Sequence, residues 1–197
     1  MGPAPRHLLG DRQPPYELRS ERMVTLRCTK KLRERVGRHV PMLETRGTGE
    51  THPPTLADWT ANVVVIGRQH LVLAVNDTTL LPVVWPIAPA KTALPRFAAA
   101  AGDVLLAMGI DRQRVLAEAA AMSDVAVGPT NNRRVLGTMN DFAWLMEAYV
   151  VGRSLTAVAL LLAEAPCSPI GMRSPIDVAS EAFGVTRVRI RLTPSLH

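Results

Sequence analysis

Apolar residues recur along this chain in two rhythms, and each change of rhythm marks an element. VTLRC at 24–28 alternates as a short strand. TKKLRERVG follows at once: Thr29 is placed to cap a helix on which Leu32 and Val36 fall four apart, and Gly37 to stop it. Residues 40–54 hold turn formers and few apolar side chains, which predicts a surface loop. NVVVIG and HLVLAVND, joined by GRQH, are the β-branched runs of a hairpin. TLLPVVWP adds an extended piece that Pro82 restricts to a sheet edge or a broken strand.

From Leu94 the rhythm becomes helical. ALPRFAAAAGDVLLAMG predicts a helix ending near Gly109 and weakened in its middle by Gly102, and Asp111 is placed to cap RQRVLAEAAAM. SDVAVG reads as a last short strand, with helices over 133–150 and 154–165. SPIGMRSPID reads as irregular. VTRVRIRL alternates, setting Val188, Ile190 and Leu192 against Arg187, Arg189 and Arg191. The expected fold is a single compact α+β domain, a small antiparallel or mixed β-sheet packed against helices on one side, in the order β-α-β-β-(β)-α-α-β-α-α. Residues 1–21 are expected to be a flexible extension, 22–181 the domain, and 182–197 an arginine-bearing strand or arm.

Length and composition agree with one buried core: 197 residues, 47% hydrophobic and 20% charged. The formal charge of +6 is uneven. Residues 22–46 carry eight basic and two acidic groups, whereas 47–181 carry nine and twelve. Lys30, Lys31, Arg33, Arg35 and Arg38 are therefore a candidate anion or nucleic-acid surface. Charge is the whole support for that partner, because no zinc-finger, RNP or KH pattern is present and aromatic residues make up only 4%. A solvated helix face accounts for the same charges.

Cys28 and Cys167 form no CxxC pair, and the five histidines lack metal-ligand spacing, so no metal and no cofactor are expected. Cys28, at a strand-to-helix junction beside lysines, reads as a thiol of lowered pKa or, with more weight, as a small core residue. LTAVALLLAEA is too short to span a bilayer and no signal peptide opens the chain, which leads to a cytoplasmic protein with no membrane partner.

The densest polar string is GPTNNRRVLGTMNDF at 128–142. Asn131 or Asn132 is placed to cap a helix whose core face is Val135, Met139, Phe142, Met146 and Tyr149. Asp141, Gly137 and Trp144 fall on the far side, and Gly137 costs about 1 kcal/mol against alanine unless it permits close packing or a kink. Asp77 and Asp141 each follow an asparagine. If they met in a cleft with Arg133, the three would suit a metal- or anion-dependent hydrolase. An Asx-turn at Asn76–Asp77 is the structural alternative.

LRCTKKL, LADWTANVV, VNDTTL, TNNRRVLGTMNDF and CSPIGMRSPIDV, in that order over residues 23–181, resemble the DUF6933 domain family of bacterial proteins. The resemblance implies no particular activity. It marks Cys28, Thr29, Lys31, Trp59, Asn62, Asn76, Asp77, Thr130, Asn131, Asn132, Arg133, Asn140, Asp141 and Pro169. Thr60 stands where family members commonly carry a histidine, which argues against an indispensable general base there. The leading expectation is a non-enzymatic binding or protein-interaction module, a homodimer being one form. The polar residues would then mostly satisfy buried backbone and one another.

Overall fold

The computed structural model describes residues 24–36, 54–123 and 125–186. The N-terminal extension, Gly37, Arg38, most of the 40–54 loop and the arginine alternation at 187–191 lie outside these residues. Along the chain run β1 (Thr25–Cys28), α1 (Lys30–Val36), β2 (Asp58–Ile66), β3 (Gln69–Asn76), β4 (Pro82–Pro86), α2 (Arg96–Ala107) and α3 (Arg112–Ser123). There follow β5 (Ala126–Pro129), α4 (Arg133–Tyr149), α5 (Leu155–Glu164) and α6 (Pro175–Ala182).

The five strands form one mixed sheet in the order β4-β3-β2-β1-β5. Short turns make β2, β3 and β4 antiparallel, whereas β1 pairs in parallel with both β2 and β5. Helices intervene before β2 and before β5, and a parallel partner needs such a crossover. Pro82 opens β4, which is an edge strand, as its missing N–H requires.

Register assigns the faces. Leu26 pairs with Trp59 and Cys28 with Ala61, and all four are fully buried. Phe97 of α2 packs edge-on against Trp59, with ring centroids 5.1 Å apart, and lies 5.6 Å from Trp85. The opposite face carries Arg27, Asp58, Thr60 and Asn62, then Leu73, and α4 packs against this side of β2 and β3. Helices therefore flank both faces, not one. Two crossovers and two hairpins distribute the chain to both sides, which strand and helix periodicity do not reveal.

The caps form where polar residues precede apolar runs. The Leu32 N–H donates to Thr29 Oγ1 at 3.3 Å, Gln113 N–H to Asp111 Oδ1 at 2.9 Å, and Val135 N–H to Asn132 Oδ1 at 3.3 Å. One helix escapes the sequence pattern. SPIGMRSPID contains a 3-10 turn at Ser168–Ile170 and the start of α6, with Pro175 in its first turn. Proline is well tolerated there, having no N–H to leave unpaired and a φ already suited to the helix.

Candidate functional site

Asn76 ends β3 and organises the turn into β4. Its side-chain Oδ1 accepts from Thr78 N–H at 3.1 Å, Thr79 N–H at 2.9 Å and Thr79 Oγ1 at 3.0 Å, while Nδ2 donates to the Asp58 carbonyl at 3.0 Å. The Asx-turn reading of this pair is the geometry found. It holds buried Leu80 at φ 60, a left-handed conformation unusual for leucine.

Asp77 turns back over the sheet. Thr60 Oγ1 donates to Asp77 Oδ1 at 2.7 Å, and the Arg27 guanidinium lies 3.6 Å from Asp77 Oδ2 and 3.1 Å from Asp58 Oδ1. Thr60 is fully buried beneath this cluster. Asp58 and Thr60 share one face because residues two apart on a strand do, which the alternation makes readable. Arg27 reaches the same face through the β1–β2 register that pairs it with Thr60, and neither that register nor the pairing with Asp77 was readable from alternation.

One step further along the same face, Asn62 faces α4. Its Oδ1 accepts from Thr29 Oγ1 at 2.7 Å and from Val63 N–H at 2.8 Å. With the oxygen occupied, the two Nδ2–H donors remain for other partners. Asn62, Val63–Val65 and Leu73 form one side of an open groove of about 290 Å³. Met139, Asn140, Ala143, Trp144 and Glu147 of α4 form the other. Trp144 stands at the rim 72% exposed, whereas Trp59 and Trp85 are buried. Trp59 is a core residue, with its indole N–H bonded to the Leu56 carbonyl at 2.8 Å.

The opening half of α4 is held differently. Asn132 is the N-cap; Thr130 is half-buried, and Asn131 and Arg133 are exposed. The Arg134 guanidinium donates to the Pro169 carbonyl, tying α4 to the closing segment. Asp141 lies on that side too. Burial first and the Asp141 carboxylate second push the Cys167 thiol up to about 11. Asp77 thus belongs to the β1–β2 cluster and Asp141 to the Cys167 neighbourhood. No hydrogen bond or ion pair among the described residues joins Asp77, Asp141 and Arg133. Gly137 is exposed and a Cβ there would meet nothing within 4 Å, so it serves neither close packing nor contact.

Cys28 is a core thiol. Burial pushes it up to about 12, with Arg33 pulling weakly the other way, and its Sγ–H donates to the Leu26 carbonyl at 3.7 Å. The desolvation of a buried strand outweighs the nearby cation, which leaves no lowered-pKa nucleophile. Lys30 pairs with Glu34 at 3.8 Å and Arg35 meets His70 at 2.6 Å; Lys31 and Arg33 are exposed, and Arg38 lies outside the described residues. Among the described residues, no group of three or more His, Cys, Asp or Glu could hold a metal ion, and no helix is long and apolar enough to cross a membrane.

Two further residues are not among those singled out from the sequence, one structural and one at the groove. Glu118 is buried in α3 and accepts from Thr55 N–H at 2.5 Å and Leu56 N–H at 3.3 Å, fixing the approach to β2. The signal was a charged residue in the stripe Val115, Glu118, Met122. Glu147 is the other, one turn beyond Trp144 on the polar arc of α4. Its signal was the tryptophan displaced from the apolar stripe.

No curated protein and no solved structure matches the chain. The family described as a domain of unknown function, DUF6933, matches residues 25–178, which take in all five strands of the sheet and α4; the chain belongs to that family.

Proposed function

We propose that this domain is a non-enzymatic binding module that takes a protein partner in the groove between β2 and α4. The observation that carries this reading is the contrast between Trp144, 72% exposed at the groove rim, and the other two tryptophans, sealed in the core. A large aromatic side chain left in water beside a concave surface is the usual composition of an interaction hot spot. Asn62 supports it, since its amide is oriented by Thr29 and keeps its donors for a ligand.

The chemistry on the rest of this sheet face supports binding over turnover. Asp77, on the neighbouring part of this face, is engaged by Arg27 and Thr60. A cytoplasmic setting goes with this reading, because a reducing compartment keeps thiols such as the buried Cys28 and Cys167 unpaired. The test is a fragment screen followed by backbone and side-chain amide NMR. Hits should perturb residues 62–65 and 139–147. If reproducible hits gather around Arg27, Asp58 and Asp77 or beside Cys167 instead, the reading fails.

A further inference from the structure

The groove is not neutral in what it can accept. Its floor is apolar, from Val64, Leu73, Met139 and Ala143, and among the described residues its one ionisable lining residue is Glu147. Asp141 is exposed one turn before Trp144, and Glu147 is exposed one turn after it. No ion pair engages either carboxylate among the described residues. On a chain of net charge +6, this arc of α4 therefore presents two carboxylates around an exposed indole and no cation.

Resting on the binding reading above, we propose that the groove seats an extended, arginine-bearing peptide segment of a partner protein. One guanidinium would stack on the Trp144 face and pair with Glu147. Planar guanidinium suits both contacts at once, since it stacks on an indole and forms directed hydrogen bonds to a carboxylate. The apolar neighbour of that arginine enters the floor between Val64 and Ala143. The Asn62 Nδ2–H donors take a backbone carbonyl of the peptide, an acceptor that an extended chain offers at every second residue on one side. Residues 62–65 of β2 span about 10 Å, at roughly 3.3 Å per residue, so the groove matches three or four peptide residues and not a folded domain. Charge complementarity separates this occupant from a neutral sugar, which would stack on Trp144 but gain nothing from the Glu147 carboxylate.

The experiment titrates the full chain with a short acetylated peptide alternating arginine and leucine. Parallel titrations use the same peptide with citrulline at each arginine, and maltotriose. The arginine peptide should bind saturably, shifting the Trp144 indole N–H and the Asn62 side-chain amide. Citrulline should weaken it about tenfold, and Trp144→Ala by a similar factor with an unchanged melting temperature, as loss of a desolvated cation–π contact implies. Glu147→Gln should weaken the arginine peptide severalfold and leave the citrulline peptide unaffected. Equal affinity for arginine and citrulline peptides, no saturable binding, or shifts that avoid the groove would overturn the proposal. Saturable binding of maltotriose at Trp144 with the peptide silent would overturn it too, while sparing the groove as a binding face; fragments avoiding the groove would sink both.

Discussion

Two polar neighbourhoods sit side by side on one face of the sheet, and they have opposite fates. Around Thr60 the cluster of Arg27, Asp58 and Asp77 closes on itself, each charged group answered by another at 3.1–3.6 Å. Around Asn62 the groups face outward, and Trp144 and Glu147 of α4 are exposed. The strand alternation that delivers them is continuous. What differs is the neighbour: the β3–β4 turn returns Asp77 over the first patch, whereas α4 stands off the second by the width of a groove. Polarity in a sequence therefore says little about a site until the elements that cover it are known.

Breaking the closed cluster should have the largest effect. Asp77→Ala leaves Arg27 short of a partner and the buried Thr60 hydroxyl without its acceptor, and it should lower unfolding stability in urea by about 2–3 kcal/mol. A loss under about 0.5 kcal/mol would rank the cluster with ordinary exposed ion pairs. Asp141→Ala, tested in parallel, should cost much less, because no hydrogen bond or ion pair engages it among the described residues.

The other face of β1 offers the second break. In the fold Cys28 is raised from 9.0 to about 12. Between those values the unfolded chain has lost the thiol proton and the folded chain keeps it, so the unfolded state binds fewer protons and stability falls as pH rises. The decline begins near the unfolded value and ends above the folded one, with a slope of at most about 1.4 kcal/mol per pH unit for this thiol. Cys28→Ala should flatten that alkaline slope relative to the parent; an unchanged slope would refute the assignment.

Gly137 sharpens the comparison from the open side. It is helical, exposed and without a neighbour for an added Cβ, so Gly137→Ala should stabilise the protein by about 0.5–1 kcal/mol in chemical unfolding. Destabilisation would show that this glycine has a packing role after all. The smallest effect is expected at the groove rim. Trp144→Ala and Asn140→Ala should change stability by no more than about 0.5 kcal/mol, and a larger loss would make the groove a structural seam.

Much of the architecture could be read from local pattern. The β-branched runs of β2 and β3, the edge position that Pro82 imposes on β4, and the caps at Thr29, Asp111 and Asn132 all depend on a few adjacent residues. Thus they were legible, and so was the order of elements up to α5. The helix α6 was not, because prolines at 169 and 175 look like breakers until the second is seen in a first turn. For the candidate site, the asparagine of the β3–β4 turn and the cap of α4 were visible as types. The different partners of Asp77, which meets Arg27 and Thr60, and of Asp141, which lies beside Cys167, were not, since the two are 64 positions apart and sit on different elements.

By itself the sequence determined the periodicity of each element, its caps, the family to which the chain belongs and the uneven charge. Only the tertiary structure decided the parallel pairing of β1 with β5, the helices on both faces, and which polar side chains were answered and which left open. The reason is physical. Caps and amphipathic stripes arise from contacts within a turn or two of chain, whereas the burial of Thr60 and the exposure of Trp144 depend on surfaces that distant segments bring together.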